Sequence, residues 1–244
     1  MRNLKHEIYR KLVFKFSKLD RLGISSNYIV GSGIEIGGLN FPLNVKQGVN
    51  VKYVDRISGE DHLKILSEFT KNEIVKVDII DDGETLATIK DNSQDFVIGN
   101  HFIEHTRNPI LTIKNALRVL KPGGVIFMAI PDKRYTFDIN RDITTLDHLI
   151  KDYVEGPDWS EDDHYYDFVK NTEHGEGKTL EEMNAVIENL KNKNFSIHYH
   201  VWDHQSMIEM FCMMINVLKF QFEIQVSLSA TKGGNESIFI LKKI

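Results

Sequence analysis

The chain has 244 residues, of which 41% are apolar and 27% charged, and 30 Lys and Arg against 35 Asp and Glu give it a formal net charge of −5. This composition is typical of a soluble globular protein and excludes disordered, collagen-like and coiled-coil chains. No apolar run reaches the roughly 18 residues that span a bilayer, and the acidic excess argues against a nucleic-acid partner. The single cysteine, Cys212, excludes an intrachain disulfide and a cysteine-based zinc site, so we expect a cytoplasmic protein.

The first predicted element is an amphipathic helix over about residues 3–19, within an N-terminal segment 1–22. One face carries apolar residues, and lysines line the other side: Lys5, Lys11, Lys15 and Lys18. We expect this helix to pack on the rest of the fold or to cover a ligand, with membrane binding as the alternative.

Short apolar strands follow at about residues 33–36, 51–54, 74–79, 95–99 and 125–130, and helices separate them. This alternation predicts an α/β protein with a mainly parallel sheet. Two helix starts are marked, by Ser58 as an N-cap and by Asn108 followed by Pro109. The segment Lys121-Pro122-Gly123-Gly124 is predicted to end the second of these helices.

A helical insertion is predicted after the fifth strand, at about residues 132–197, because the alternation of helix and strand lapses there. Between Asp152 and Glu176, nine acidic residues accompany a single lysine, with aromatic residues between them. Thr179 and Asp203 are placed as N-caps of the next two helices. Two alternating strands around a turn at residues 231–235 then predict an antiparallel hairpin that completes a single domain over residues 1–244.

The most informative motif is a short apolar strand that ends in Glu35-Ile36-Gly37-Gly38. Glycines allow the backbone to turn sharply beneath a ligand. Asp55 ends the next strand, where a carboxylate accepts hydrogen bonds from ribose hydroxyls in dinucleotide sites. However, the glycine spacing is not that of the dinucleotide fingerprint, and Glu35 would repel a diphosphate. The motif therefore favours a cationic ligand such as the ammonium and sulfonium groups of S-adenosylmethionine, and a structural turn is the alternative.

Six segments in chain order together resemble the class I S-adenosylmethionine-dependent methyltransferases. Within them the chain looks most like UbiE-type and methyltransferase-domain 11 proteins, some of which accompany glycosyltransferases in polysaccharide synthesis. The six segments are 35–38, 53–55, 82–86, 92–97, 104–105 and 118–124. The resemblance covers residues 30–131 by motif and 200–244 by topology. It implies a Rossmann-like α/β fold with a seven-stranded mixed sheet, an antiparallel C-terminal hairpin and the helical insertion after strand five.

The resemblance also implies a cofactor site for S-adenosylmethionine. Glu35, Gly37 and Gly38 would lie under the methionine end of the cofactor, and Asn100 would line the same side. Asp55 would hold the ribose, with Arg56 beside it, and Asp82 and Gly83 would lie beside the adenine. The sequence departs from the family pattern at Leu39-Asn40, where no third glycine follows.

Two groups of histidines are candidate general bases. His101-Phe102-Ile103-Glu104-His105 has the spacing of an inverted zinc-protease motif, but that motif needs a helix and His101 follows a strand, so we expect no zinc here. His101 is predicted to lie near the opening of the site. His105 is a second candidate base, with packing at a helix start as its alternative role.

The second group is His198, His200 and His204, just before the last helix. In a strand, His198 and His200 would point the same way. These imidazoles would bind a metal, position an acceptor or remove a proton; the alternative is a polar strand edge with a helix cap. We predict that His200 contacts the substrate.

Four further residues are predicted to bind the substrate. Asp132 and Arg134 follow the fifth strand at the edge where open α/β sheets bind ligands, with surface ion pairs as the alternative. Trp159 and Tyr165 lie in the acidic, aromatic part of the insertion, where rings would stack on sugars. Aromatic residues of a local core are the alternative reading of that segment.

The sequence therefore predicts methyl transfer from S-adenosylmethionine to a hydroxyl of a small molecule or glycan, with no obligatory metal. A homodimer is left open. The alternatives are a catalytically silent cofactor-binding module, an RNA methyltransferase, and a metal-assisted O-methyltransferase that uses Asp132 or the histidines at 198–204.

Overall fold

Seven strands form one mixed sheet in the computed structural model, which describes residues 20–65, 74–230 and 234–244. The strand order is β3-β2-β1-β4-β5-β7-β6. The strands are β1 (Ser32–Ile36), β2 (Asn50–Asp55), β3 (Ile79–Ile80), β4 (Gln94–Asn100), β5 (Leu120–Pro131), β6 (Phe222–Leu228) and β7 (Glu236–Lys243). Strands β1 to β5 pair in parallel, whereas β7 runs antiparallel to both β5 and β6. The predicted mixed α/β sheet with an antiparallel C-terminal hairpin is confirmed.

Helices lie between the strands and in the segment after β5. They are α1 (Arg21–Tyr28), α2 (Gly59–Ile65), α3 (Pro109–Val119), α4 (Leu146–Glu155), α5 (Glu161–Asn171), α6 (Leu180–Asn192) and α7 (His204–Asn216). None of those helices, within the described parts of the chain, combines the length and the hydropathy of a membrane-spanning segment.

The central strands are buried on both faces, which explains their continuous apolar sequence. In β5, Ile126 and Met128 belong to the apolar cluster on one face, and Val125 and Phe127 belong to the cluster on the other. Side chains of a strand alternate between its two faces. The sheet is therefore the middle layer of the domain. Because both of its faces are covered, a ligand site is expected at the carboxyl-terminal edge of the strands.

The predicted N-caps are found. Asn108 Oδ1 accepts a hydrogen bond from the Leu111 amide at the start of α3, with Pro109 as the first helical residue. Thr179 and Asp203 each form a reciprocal capping box, which satisfies two otherwise unpaired groups at each helix start.

Two boundaries differ from the sequence prediction. The third strand is reduced to Ile79–Ile80, because the Asp78 carboxylate accepts the Tyr53 amide at 3.0 Å and replaces the backbone partner that a longer strand would offer. The segment 121–124 does follow the end of α3, but it lies inside β5, where Gln94 pairs with Leu120 ahead of a register shift. The strand begins at Leu120, and Gly123, with a φ of +79°, lies in the irregular stretch between the pairing of Leu120 and that of Val125.

Residues 132–203 carry short 3-10 helices and α4 to α6, and part of this segment has a small core of its own. Tyr165, Phe168, Val169, Ile187, Leu190, Ile197 and Tyr199 form that core. The Arg141 side chain is only 1% exposed, and it pairs with Asp138 at 2.8 Å and Asp167 at 2.7 Å. It also donates to the His198 carbonyl oxygen at 2.8 Å. Charged groups therefore help to hold this segment together.

The helix predicted over residues 3–19 lies outside the described residues. So does the tip of the predicted hairpin turn, residues 231–233.

Candidate functional site

Polar and glycine residues gather at the carboxyl-terminal edge of the parallel strands. Gly37 follows β1, Asp55 ends β2, Asp81 follows β3 and Asn100 ends β4. Open α/β proteins bind their ligands at this edge, where the strand order reverses between β1 and β4. We call the predicted cofactor residues at this edge the sheet-edge site: Glu35, Gly37, Gly38, Asp55, Asp82, Gly83 and Asn100.

Glu35 is a buried acid on β1, with only 1% of the residue exposed. Its two carboxylate oxygens lie 2.9 and 3.1 Å from the Leu43 amide nitrogen, which donates to them. Burial raises the pKa of Glu35 to about 7, although the Leu43 hydrogen bond and the charge of Arg21 oppose the rise. The group is therefore poised to lose its proton when a cation approaches.

The glycine pair after β1 makes a tight turn with open space on one side. Gly37 has a φ of +65°, a conformation that side chains disfavour, and none of the residues that the structure describes lies within 4 Å of the place where a Cβ would stand. A Cβ at Gly38 would stand 3.0 Å from the Tyr53 ring and 3.5 Å from the Glu35 carboxyl carbon. The turn thus leaves room for a ligand beside a buried acid.

Asp55 stands at the end of β2 with its side chain largely buried. Its Oδ1 lies 3.0 Å from His62 Nε2 and accepts the Ile57 amide at 3.4 Å. Arg56, the next residue, is exposed. The predicted ribose-binding acid is therefore in the expected position, and His62 is a neighbour that the sequence did not indicate.

Two consecutive acids follow β3, and they have different surroundings. Asp81 is buried and accepts hydrogen bonds from Thr88 and from the Ala87 amide, which lower its pKa against the effect of burial. Asp82 is exposed, and its Oδ1 accepts the Glu84 amide at 2.7 Å. Asp81 thus holds the loop, and Asp82 is the acid that faces outward.

Gly83 could not carry a side chain without moving its neighbours. A Cβ there would stand 2.6 Å from both Ile36 Cγ2 and Phe102 Cζ. This close packing brings the loop after β3 against the end of β1. It therefore joins the predicted adenine-binding and methionine-binding parts of the sheet-edge site.

Asn100 closes β4 with one half of its amide unsatisfied. Its Oδ1 accepts the Ala129 amide at 3.2 Å, whereas its buried Nδ2 has no hydrogen-bond partner among the described residues. A buried amide group without a partner is costly. An acceptor atom of a bound ligand would satisfy this group.

A cleft of about 530 Å³ opens beside the end of β1. Its lining comes from α1, from the loop after β1 and from the ends of β6 and β7: residues 20–22, 41–44, 228–230, 234, 236 and 238. Leu43 in this lining is the residue that donates to Glu35. The cleft therefore adjoins the sheet-edge site.

Among the predicted bases, His101 is the one that contacts a residue of the cleft lining. Its Nε2 lies 2.8 Å from Oε2 of Glu236, a lining residue that also pairs with Arg21. Burial would raise the pKa of Glu236, but hydrogen bonds from Arg21 and His101 outweigh it and lower that pKa to about 2. His101 is itself part-exposed and has a φ of +47°, an unusual conformation for a residue with a side chain. An ionised carboxylate thus orients a histidine directly after β4.

Glu104 lies behind His101 and is almost fully buried. Its Oε1 is 3.6 Å from His101 Nδ1 and 4.0 Å from His198 Nε2, and neither oxygen has a hydrogen-bond partner in the described chain. Burial, reinforced by the charges of Asp138 and Glu236, raises the pKa of Glu104 to about 8. Glu104 therefore carries its proton at neutral pH.

His105 packs against the insertion, away from the cleft lining. Its Nδ1 lies 2.9 Å from the Ile197 carbonyl oxygen, and its ring contacts His198 edge to face. Burial lowers the pKa of His105 to about 4, with the neighbouring His198 adding to the shift. This environment agrees with the packing role that was the alternative to catalysis.

His198 and His200 do not share a face as predicted, because residues 195–203 form no strand. The consecutive amides of Tyr199 and His200 both point to the Glu104 carbonyl oxygen, at 2.8 and 3.4 Å, which interrupts regular alternation. As a result, His198 contacts Asp138 at 2.7 Å, whereas His200 is fully buried near Asp152.

None of the four predicted substrate residues lines the cleft. Asp132 is fully buried and forms a bidentate pair with Arg134, whose Nη2 lies 3.4 Å from Ser229 in the cleft lining. Tyr165 is buried in the small core of the insertion, which is the alternative to substrate binding that the sequence analysis gave. Trp159 is exposed, but its indole donates to Asp152 at 2.9 Å.

Sequence reasoning did not single out Glu236, Arg21 or Asp138. Glu236 and Arg21 are 215 positions apart in the chain, and no local motif relates them. Glu104 was visible as part of the quoted Glu-His pair, but its burial depends on tertiary packing.

A family model described as a methyltransferase domain matches residues 30–128. An uncharacterized protein of Methanocaldococcus jannaschii is 35% identical over 107 residues, which are 42% of this chain and 46% of that protein. The match thus spans about half the length of this relative.

Solved structures with similar folds include a SAM-dependent methyltransferase of Methanosarcina mazei, with a TM-score of 0.48 and 18% identity over 93% of this chain and 99% of that one. A SAM-dependent methyltransferase of Aquifex aeolicus has a TM-score of 0.43 and 11% identity over 88% and 82% of the two chains. Residues 30–128, less than half of the chain, are thus similar to a methyltransferase domain, and the mixed α/β sheet described above is the one expected from the resemblance.

Proposed function

We propose that this protein transfers the methyl group of S-adenosylmethionine to a hydroxyl oxygen of a small molecule or glycan. One observation carries the proposal: Glu35 and the glycine turn at Gly37 lie at the same edge of the sheet as Asp55, which ends the neighbouring strand β2. These residues lie inside the segment that matches the methyltransferase model.

The residues at the sheet edge fit the cofactor chemically. Glu35 offers a carboxylate to the ammonium and sulfonium groups, beside the open space at Gly37. Asp55 would accept from the ribose hydroxyls and Asp82 from the adenine amino group. The unsatisfied Asn100 amide would donate to the carboxylate of the methionine moiety.

The cofactor supplies a methyl group that its positive sulfur already activates, so the protein has mainly to position the acceptor and exclude water. The cleft beside β1 is the place for that acceptor. Its walls include the Arg21 and Glu236 pair, which offers hydrogen-bonding groups to a polar molecule.

A hydroxyl acceptor must also lose a proton, and we assign that step to His101. Glu236 orients its imidazole and would stabilise the imidazolium that forms when the proton is taken. His105 and His200 face the insertion instead, so we propose that neither removes this proton.

The experiment is a pair of measurements on the whole chain. Calorimetry with S-adenosylhomocysteine should show binding to one site. The protein and S-adenosylmethionine are then incubated with panels of glycans and small alcohols and, separately, with structured RNA. At least one glycan or alcohol should release S-adenosylhomocysteine. Binding without release in any panel would favour the catalytically silent module, and release only with structured RNA would favour the RNA methyltransferase.

A further inference from the structure

Three histidines and one aspartate converge in the insertion, away from the sheet edge. His148 and Asp152 lie one turn apart on α4, His164 lies on α5, and His200 lies in the segment before α7. One potential ligand atom from each side chain lies within 4.8 Å of the other three. We call these four residues the histidine cluster.

The nitrogen and oxygen atoms of the cluster face one another closely. His148 Nε2 lies 3.1 Å from His164 Nε2 and 3.3 Å from Asp152 Oδ2. Asp152 Oδ2 in turn lies 3.7 Å from His200 Nε2. The three imidazole rings meet edge to face, with centroids 4.9 to 5.6 Å apart. Four donor atoms therefore surround one small volume.

The two oxygens of the Asp152 carboxylate have different surroundings. Oδ1 accepts hydrogen bonds from Trp159 Nε1 at 2.9 Å and from Ser160 Oγ at 3.4 Å. Oδ2, the oxygen that faces the histidines, is buried and has no hydrogen-bond partner within the described chain. Metal-binding carboxylates are commonly held in this way, with one oxygen fixed by neighbours and the other left for the ion.

Burial disfavours the charged form of two imidazoles in the cluster, those of His164 and His200. Burial lowers the pKa of His164 to about 4, and the neighbouring His148 adds to the shift. Burial lowers the pKa of His200 well below its ordinary value, with His164 and His148 adding to the shift. The charged groups that face His164 are Asp152 and Asp167, which favour its protonation, and Arg141, which opposes it.

Hydrogen bonding alone leaves this cluster incomplete. An N–H···N bond between His148 and His164 would use one pair of nitrogens, and His200 Nε2 lies 3.4 Å from the Arg107 carbonyl oxygen. Among the residues that the structure describes, Asp152 Oδ2 and the buried His200 Nδ1 would still have no partners. Buried polar atoms without partners are costly, and a cation at the centre of the cluster would satisfy the carboxylate oxygen.

We infer that His148, Asp152, His164 and His200 form a binding site for a divalent first-row transition-metal ion. Three imidazole nitrogens and one carboxylate oxygen are a donor set that suits Zn²⁺. Since four protein ligands complete a tetrahedral shell, the site is structural. It joins α4, α5 and the segment before α7. This differs from the sequence-based expectation of no metal, and it does not depend on the proposed methyl transfer.

Another group, Glu104, His105 and His198, also lies close enough to hold an ion. Its imidazoles are already engaged, because His105 Nδ1 lies 2.9 Å from the Ile197 carbonyl and His198 Nδ1 lies 2.7 Å from Asp138. It also offers only three side chains. We therefore assign the metal to the histidine cluster.

The test begins with the full-length protein stripped of metal by a chelator and then dialysed against Zn²⁺. Elemental analysis should find one zinc per chain, and competition titration with a chromophoric chelator gives its affinity. The variants His148→Gln and Asp152→Asn should each bind zinc at least about 100-fold more weakly, because removing a ligand should cost at least as much as the 10–100-fold typical of neighbours that only orient one.

His174→Gln is the matched control. This histidine also lies in the insertion, where its ring contacts Phe168 and Phe195, but it is not part of the cluster. Its zinc affinity should equal that of the unmodified protein. Equal affinity in His148→Gln, Asp152→Asn and His174→Gln, or no zinc uptake by the unmodified protein, would overturn the inference.

A spectroscopic test covers the case in which Asp152→Asn does not fold. Co²⁺ bound to the unmodified protein should give the intense visible bands of a four-coordinate site. His148 is part-exposed, so His148→Cys should fold and add a sulfur-to-cobalt charge-transfer band. Absence of that band in a folded His148→Cys protein that binds Co²⁺ would place the ion elsewhere and refute the site. Normal S-adenosylhomocysteine binding in these variants would separate this result from the proposed function.

Discussion

The sheet-edge site and the histidine cluster differ in how the chain assembles them. The acid and glycine residues of the first site end consecutive strands, so local motifs and the parallel topology bring them together. The histidine cluster combines positions 148, 152, 164 and 200 from two helices and an irregular segment. A site of the first kind depends on a packed apolar sheet, whereas the second depends on buried polar and charged contacts in the insertion.

The largest expected effect concerns the buried charge of the insertion. Arg141→Ala should lower the free energy of unfolding by about 3–5 kcal/mol, because it removes the buried cation that faces Asp138 and the donor to the His198 carbonyl oxygen. Urea unfolding monitored by tryptophan fluorescence measures this change. The control Lys191→Ala removes an exposed pair with Asp162 and should cost less than about 1 kcal/mol. Equal losses in the two variants would show that the insertion does not depend on its buried ion pairs.

The second prediction separates the two groups of histidines by turnover. His101→Ala should reduce turnover by about 10²–10⁴-fold, the usual contribution of a general base, while S-adenosylhomocysteine affinity is kept. In the sequence-based prediction, His200→Ala reduces turnover as well. Steady-state kinetics on both variants, with an acceptor identified by the panels above, decide between these two residues. A normal turnover number for His101→Ala would remove His101 as the base.

The third prediction concerns cofactor affinity at the sheet edge. Asp55→Ala should weaken S-adenosylhomocysteine binding by at least about 100-fold, because two hydrogen bonds to a charged group are lost, each worth about 1.5–3 kcal/mol. Calorimetry measures the affinity. Asp91→Ala is the control, since Asp91 is exposed, pairs with Arg118 and precedes β4 at the opposite edge of the sheet. If Asp55→Ala and Asp91→Ala bind equally well, the ribose assignment is wrong.

The smallest expected effect is a pH dependence that arises from Glu35. Its pKa is about 7 in the folded protein, and a cationic ligand binds the ionised carboxylate. Below pH 7 the carboxyl group is protonated and must release that proton when the ligand binds. Affinity for S-adenosylhomocysteine, whose ammonium group is positive, should therefore fall as the pH drops, by up to about tenfold per unit. Glu35→Gln should bind more weakly at pH 8 and lose this dependence; an unchanged pH profile would contradict the assignment.

Much of the fold follows from local sequence signals. The N-caps at Asn108, Thr179 and Asp203 predicted three helix starts, because a capping side chain satisfies amides within its own turn. The C-terminal hairpin was predicted from alternating residues on both sides of a turn. The short β3 was not, because its start depends on the Asp78 side chain reaching the Tyr53 amide, 25 positions away.

The same contrast between local signals and tertiary packing applies to the candidate sites. Residues of the sheet-edge site were visible because each adjoins or ends its own strand. His148 and Asp152 have a helical i, i+4 spacing that was a usable local signal, but it does not indicate His164 or His200 as partners. The buried state of Glu104 also depends on residues far away in the chain, including Asp138 and Glu236. Sequence patterns predict which residues share an element, and packing decides which elements meet.

The carbonyl oxygen of Glu104 accepts amides from both Tyr199 and His200. Through it, a backbone position just after β4 is tied to a ligand of the inferred metal site, while the Glu104 side chain faces His101. A movement of His200 would therefore act on the peptide group of the residue whose side chain faces His101, the proposed base. Binding or loss of an ion in the insertion would thus reach the proposed base through the peptide group of Glu104.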